Sequence, residues 1–273
     1  MPRSQSANSP LEHSGYKTVP LLRLLLRKIE ISLLTFQDNV SKMQIGVTWA
    51  SEVSAKFPGL SICIGVITNV KVERENEQIK RLKKSVYEEV KAKYTVETLK
   101  DNPTVRAYRD FYWRLGIDPT KTRPSGEALL RRVLHGGELP HISTVVDAYN
   151  LASMKIIIPI SGFDLNCLNP PFQIRYAKTG ETFMGIGMDK PVALTGNMLV
   201  LADEKQVLSI YPYRDSDHTK ITENTRNVLV VGYGVSGIAQ EQLKEAVETT
   251  LSYIKLVSDG ETEMVKVFSS ASK

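Results

Sequence analysis

The chain has 273 residues, 42% hydrophobic and 24% charged, with a net charge of +5, which is enough apolar material for one large domain or two with a real core. Two cysteines, Cys63 and Cys167, exclude a disulfide framework, and their surroundings lack metal-ligand spacing, so a reducing, cytoplasmic setting with no metal and no cofactor is the expectation. No uninterrupted apolar run reaches the ~18 residues of a membrane span.

The first 42 residues stand apart. A polar Ser/Pro-rich stretch precedes VPLLRLLLRKIEISLLTF, which is apolar but broken by Arg23, Arg27, Lys28 and Glu30. We read 1–42 as an extension outside the core, disordered or a processing segment, and 43–273 as a single domain. The extension holds six basic and three acidic residues, so the remainder carries only about +2 and offers a polyanion few contacts.

From Met43 the patterning is regular. LSICIGVITNVKV (60–72) alternates as a strand does. In the next segment Ile79, Leu82, Val86 and Val90 share a helical face, and the opposite face mixes Lys, Arg and Glu in the manner of a solvated surface. Asn102 and Pro103 suit the cap and first position of a helix that Gly116 ends. Ser125 and Ser143 are expected to cap GEALLRRVL and TVVDAYNLASMK. The second half changes to short apolar segments: KIIIPISGFDL, FQIRYAK, ETFMGIG, PVALTG, MLVLAD, QVLSIYPY and NVLVVGY, several separated by turn formers. A last helix sets Leu243, Val247, Leu251 and Ile254 on one face. Helices first and strands later point to α+β.

Gly232, Gly234 and Gly237 spell GxGxxG after a strand and before a helix, with Asp259 about 20 residues on, as in dinucleotide folds. Only 14 residues follow Asp259, too few for the remaining βαβ units, so a glycine-rich strand exit is the better reading. There is no G-x-S-x-G elbow, and the histidines at 13, 135, 141 and 218 lack metal spacing.

LRR at 130–132, LPHI at 139–142, VVDAYN at 145–150, the P-x-S-G-x-D run at 159–164, then TGETF, GNMLVLAD and RDSDHTKITENTRNVLV lie in order over roughly residues 60–232. On these pieces the chain resembles free-standing B3/B4 domain proteins, which are similar to the editing domain of the phenylalanyl-tRNA synthetase β subunit. The resemblance implies an α+β fold of mixed sheets, in part a half-open barrel, with helices around a pocket. It implies hydrolysis of a wrongly attached amino acid from tRNA by a positioned water, which needs no covalent nucleophile. The synthetase pattern has a histidine where this chain has Ser161 and a glutamate where it has Val231; those groups help recognise tyrosine, so another amino acid or ligand is implied here.

The resemblance implies a pocket with Asn150, Ser161 and Asp217 in catalytic roles and Asp147, Asp164, Arg214, Thr219 and Lys220 holding substrate. Arg214 and Lys220 offer donors to a carboxylate, phosphate or oxyanion, and Asp217 an acceptor for an ammonium or water. The alternative is an Arg–Asp pair and Asx-type turn stapling the start of the strand. Expected partners are a weakly bound tRNA or aminoacyl-tRNA and a small amino-acid-like ligand, with neither DNA nor membrane. Three functions stay open: a deacylase acting in trans on mischarged tRNA, a non-catalytic binding module for an amino acid, tRNA or protein, and a dinucleotide-dependent oxidoreductase.

Overall fold

A computed structural model describes residues 45–270; the reading of residues 1–42 lies outside the described residues. The N-terminal half is helical. After β1 (Val47–Trp49) and α1 (Ser51–Lys56), the long strand β2 (Ser61–Thr68) is buried along its whole length. Helix α2 (Glu77–Lys93) buries Ile79, Leu82, Val86 and Val90, and the Ile79 N–H donates to its cap, Asn76 Oδ1, at 3.0 Å. The short α3 (Val96–Leu99) follows. Asn102 Oδ1 then accepts from the Thr104 and Val105 N–H groups at the start of α4 (Pro103–Arg114). Helix α5 (Ser125–Leu134) departs from expectation: Ser125 is its first helical residue, and Pro124 occupies the cap without a side-chain bond. Ser143 does cap α6 (Thr144–Ile156), accepting from the Val146 N–H at 3.4 Å.

The C-terminal half supplies β3 (Ile160–Asp164), β4 (Phe172–Tyr176), β5 (Thr182–Phe183), β6 (Val192–Ala193), β7 (Leu199–Ala202), β8 (Val207–Ile210), β9 (Arg214–Asp215), β10 (Val228–Gly234), α7 (Gln240–Ser258) and β11 (Glu261–Ser269). One sheet has the order β1-β4-β7-β8-β9, another β11-β2-β10-β3, and β5 pairs with β6 alone. The fold is α+β with mixed sheets and surrounding helices. Both larger sheets stay open and do not close into a barrel, with β9 and β3 as edge strands.

Helix α7 lies on the four-stranded sheet, and the glycines explain how closely. A Cβ on Gly232 would sit 2.9 Å from Val247 Cγ2, and one on Gly65 would sit 2.6 Å from Val247 Cγ1. Gly232 and Gly234 are inside β10, both paired with antiparallel β2 and Gly232 also with antiparallel β3, rather than in a phosphate-binding turn after a parallel strand. The spelling of the motif thus reflects sheet–helix packing. The other face of the sheet meets the five-stranded sheet through aromatic contacts. Phe57, Phe111, Tyr211 and Tyr233 form successive edge-to-face pairs with centroids 5.4, 5.9 and 4.9 Å apart, and the Tyr108 hydroxyl donates to the Tyr233 carbonyl at 2.6 Å.

Candidate functional site

Strand alternation sets the site. Ser161 pairs with Val231 and Gly162 with Val230, so the two β3 residues face opposite ways. Gly162 faces the helices: a Cβ there would lie 2.8 Å from Tyr149 Cε1 on α6, so the glycine lets that ring lie against the strand. Ser161 faces the other sheet, where its hydroxyl donates to Asp215 Oδ1 at 2.8 Å. Asp215 in turn pairs with Ser209 across β8 and β9. The Ser209 hydroxyl lies 3.2 Å from the Tyr233 hydroxyl, which projects from β10. Two side-chain bonds therefore span the seam between the sheets and enclose a cluster of Ser161, Ser209, Asp215 and Tyr233.

Burial pushes the Asp215 carboxyl up to about 7, and the bond from Ser161 only partly opposes this. Burial first, and the Asp215 charge second, push the Tyr149 and Tyr233 hydroxyls above their ordinary range, so both remain proton donors at neutral pH. A carboxyl that titrates near neutrality beside a serine hydroxyl can exchange a proton with a water or a reacting group.

The other residues expected at the site are placed as follows. Arg214 precedes Asp215 on β9, and its side chain lies against Gly185 and donates to the Ile186 carbonyl at 3.1 Å. Lys220 is exposed and bonds Asp217 Oδ1 at 2.7 Å, while the Asp217 N–H donates to the Met184 carbonyl. Thr219 is fully buried, and its hydroxyl has no partner among the described residues. Asp164 accepts from the Asn166 N–H and the Thr225 hydroxyl, at the far end of β3 from Ser161. On α6, Asn150 follows Tyr149 and is half-buried, and its side chain makes no hydrogen bond to a described residue. Asp147 is buried and holds His141 Nδ1 at 2.6 Å, the Ile142 N–H at 3.0 Å and Lys83 Nζ at 3.5 Å.

The structure thus joins Ser161 to Asp215 and Asp217 to Lys220. Asp215, Tyr149, Ser209 and Tyr233 were not among the sequence-based candidates. Asp215 and Asp217 are both acidic and two apart, so spacing does not separate them; the β8–β9 pairing does. His218 is exposed. Burial raises the Cys63 thiol to about 12, and burial, then Asp164, raises that of Cys167, so neither is a ready thiolate. Among the described residues no group of three or more His, Cys, Asp or Glu is placed to hold a metal ion, and no helix is long and apolar enough to cross a membrane.

Comparison with known proteins bears on the same region. The phenylalanine–tRNA ligase beta subunit of Neisseria meningitidis serogroup B is 30% identical over 114 residues, 42% of this chain and 14% of that protein. The corresponding subunit of Leifsonia xyli subsp. xyli is 31% identical over 120 residues, 44% of this chain. The match spans only 14% of the length of each. Among solved structures, an N-terminal fragment of the phenylalanyl-tRNA synthetase beta subunit from Pyrococcus horikoshii covers 80% of this chain and 50% of its own, with a TM-score of 0.43 and 14% identity. The family model described as "B3/4 domain" matches residues 107–255, which contain α6, β3, β9 and β10 and every residue of the seam cluster. The chain belongs to the B3/4 domain family.

Proposed function

We propose that the chain hydrolyses, in trans, the ester that links a wrongly attached amino acid to tRNA, with Asp215 as the general base. The observation that carries this reading is the Ser161–Asp215 bond, in which a buried carboxyl titrates near neutrality. The chemistry is attack of water on the ester carbonyl. Asp215 takes the proton of that water and returns it to the ribose oxygen as the ester C–O bond breaks, Ser161 holds the carboxylate oriented, and the protonated Tyr233 hydroxyl, on the same face of the sheet, is a donor for the developing oxyanion. Relatives that are phenylalanine–tRNA ligase subunits support the tRNA part of the reading. Ser161 stands where the synthetase pattern has histidine and Val231 where it has glutamate, which favours an amino acid other than tyrosine. The site residues expected from the resemblance remain part of this proposal: Asn150 and Asp217 as further catalytic groups, and Asp147, Asp164, Arg214, Thr219 and Lys220 as substrate-binding groups.

The test is a panel of mischarged tRNAs incubated with the wild-type protein and with Asp215→Asn. Wild type should release one amino acid or a narrow set, with a rate that rises through about pH 7 as the base ionises, and Asp215→Asn should be inactive. Release by both proteins alike would remove Asp215 from the chemistry.

A second reading, a binding module without catalysis, is favoured by the 5% exposure of Ser161 and by the bonds that Arg214 and Lys220 make at the surface. Retention of a non-hydrolysable aminoacyl-tRNA, with no turnover of any mischarged tRNA, would select it.

A further inference from the structure

A groove of about 550 Å³ runs between α2 and the segment 138–141, lined neither by Ser161 nor by Asp215. Its volume falls within the range of small-molecule sites, roughly 300–1,000 Å³. Ile79, Tyr87 and Leu139 give it apolar surface, and the Leu139 N–H donates to the Tyr87 hydroxyl oxygen at 2.7 Å, which ties the two walls together.

The charges in the groove are mixed in a particular way. Lys80 is held by Glu75 and Glu77, and Lys83 by the buried Asp147. Lys84 and Lys91 have no carboxylate partner among the described residues, and neither do Glu88 and Glu138 with any cation. Lys84, Tyr87, Glu88 and Lys91 are spaced i, i+3, i+4 and i+7, so one helix wall presents ammonium, ring, carboxylate and ammonium in turn. Lys91 Nζ lies over the Tyr87 ring, 5.9 Å from its centroid, and two cations against two carboxylates give a polyanion little net attraction. They suit a small molecule that carries both charges and an apolar part.

The groove also contains a histidine in a fixed orientation. His141 Nδ1 lies 2.6 Å from Asp147 Oδ2, and Asp147 is held by the Ile142 N–H as well, while Nε2 lies 4.0 Å from Glu75. Burying a carboxylate is costly unless it is paired, and these partners offset that cost while setting the imidazole at the groove.

We propose that this groove binds a free amino acid, with the α-carboxylate taken by Lys84, the α-ammonium by Glu138 and Glu88, and the side chain resting on Tyr87 and Leu139. The inference does not depend on the hydrolase reading, because it uses none of the seam residues.

The test is calorimetric titration of the full chain with each of the common L-amino acids, followed by the N-acetyl and the carboxamide derivatives of any binder. At least one amino acid should bind, and removal of either charge should weaken it about tenfold or more. Lys84→Ala and Glu138→Gln, both at exposed positions, should each weaken binding to a similar extent with unchanged melting curves. Asp215→Asn should leave binding unaffected, which separates this site from the seam. Absence of heat up to 10 mM of every amino acid would overturn the proposal. So would equal affinity for the N-acetyl derivative, or a stronger response to inorganic phosphate or to an RNA oligonucleotide.

Discussion

Replacing Asp215 by Asn should make the folded protein more stable at neutral pH, and by an amount that depends on pH. The buried carboxyl titrates at about 7 instead of 3.8, its ordinary value, because burial disfavours its charged form. Between those two values the folded chain holds a proton that the unfolded chain has lost. Stability from this group is therefore fully present below about pH 4 and is lost as pH rises through 7. A difference of about three units, at 1.36 kcal/mol each, sets an upper bound of roughly 4 kcal/mol; the carboxyl is buried but the residue as a whole is partly accessible, so about 2–4 kcal/mol is the working range. Asn keeps the carbonyl oxygen that accepts from Ser161 and cannot ionise. In urea denaturation from pH 4 to pH 8, the stability of Asp215→Asn minus that of wild type should rise with pH and level off above 7. Taking the difference cancels carboxylates such as Glu181, which Arg175 holds below its ordinary range and which acts with the opposite sign. A difference that stays flat across that range would show that Asp215 is ionised and solvated in the folded protein, and the general-base proposal would fall with it.

Gly232→Ala should destabilise by about 1–3 kcal/mol, because the added methyl meets Val247 Cγ2 at 2.9 Å in a packed core; the urea midpoint reads this, and an unchanged midpoint would contradict the close α7–sheet contact. Lys220→Ala should leave the melting temperature nearly unchanged, since its pair with Asp217 is exposed, whereas mischarged-tRNA hydrolysis should fall about tenfold if Lys220 meets the substrate. Affinity for tRNA should be micromolar or weaker and should drop with added salt, as expected for a core near +2; filter binding at two salt concentrations tests this, and tight, salt-insensitive binding would point to base readout.

The helices were legible because each carries its own signals. The apolar stripe of α2, the Asn102–Pro103 start of α4 and the Ser143 cap of α6 are local, and local physics decides them. Two features hid others. KIIIPISGFDL reads as one strand, yet Lys155 and Ile156 close α6 and the strand begins at Ile160, after Ile157 turns with φ 64°. β11 is a half-exposed edge strand whose register shifts between Thr262 and Met264, and that shift breaks the alternation by which a strand is recognised.

The site shows the same division between local and long-range determinants. RDSDHTKIT announces polar chemistry, but which of its residues face inward depends on partners far away in sequence. Asp215 is selected by Ser209 beside it and by Ser161, 54 positions earlier on another sheet. Arg214, its neighbour, faces the opposite side by strand alternation, and its side chain lies close over Gly185, where a Cβ would sit 2.5 Å from Arg214 Cδ. The GxGxxG spelling follows the same rule, since Gly232 and Gly234 make room for Val247 and Leu243 of α7 and not for a phosphate. In each case the residue type is set by a close approach from another element. The seam could therefore be recognised only after β3, β8, β9 and β10 were in register, and the motif that looked most like a binding site is a packing surface.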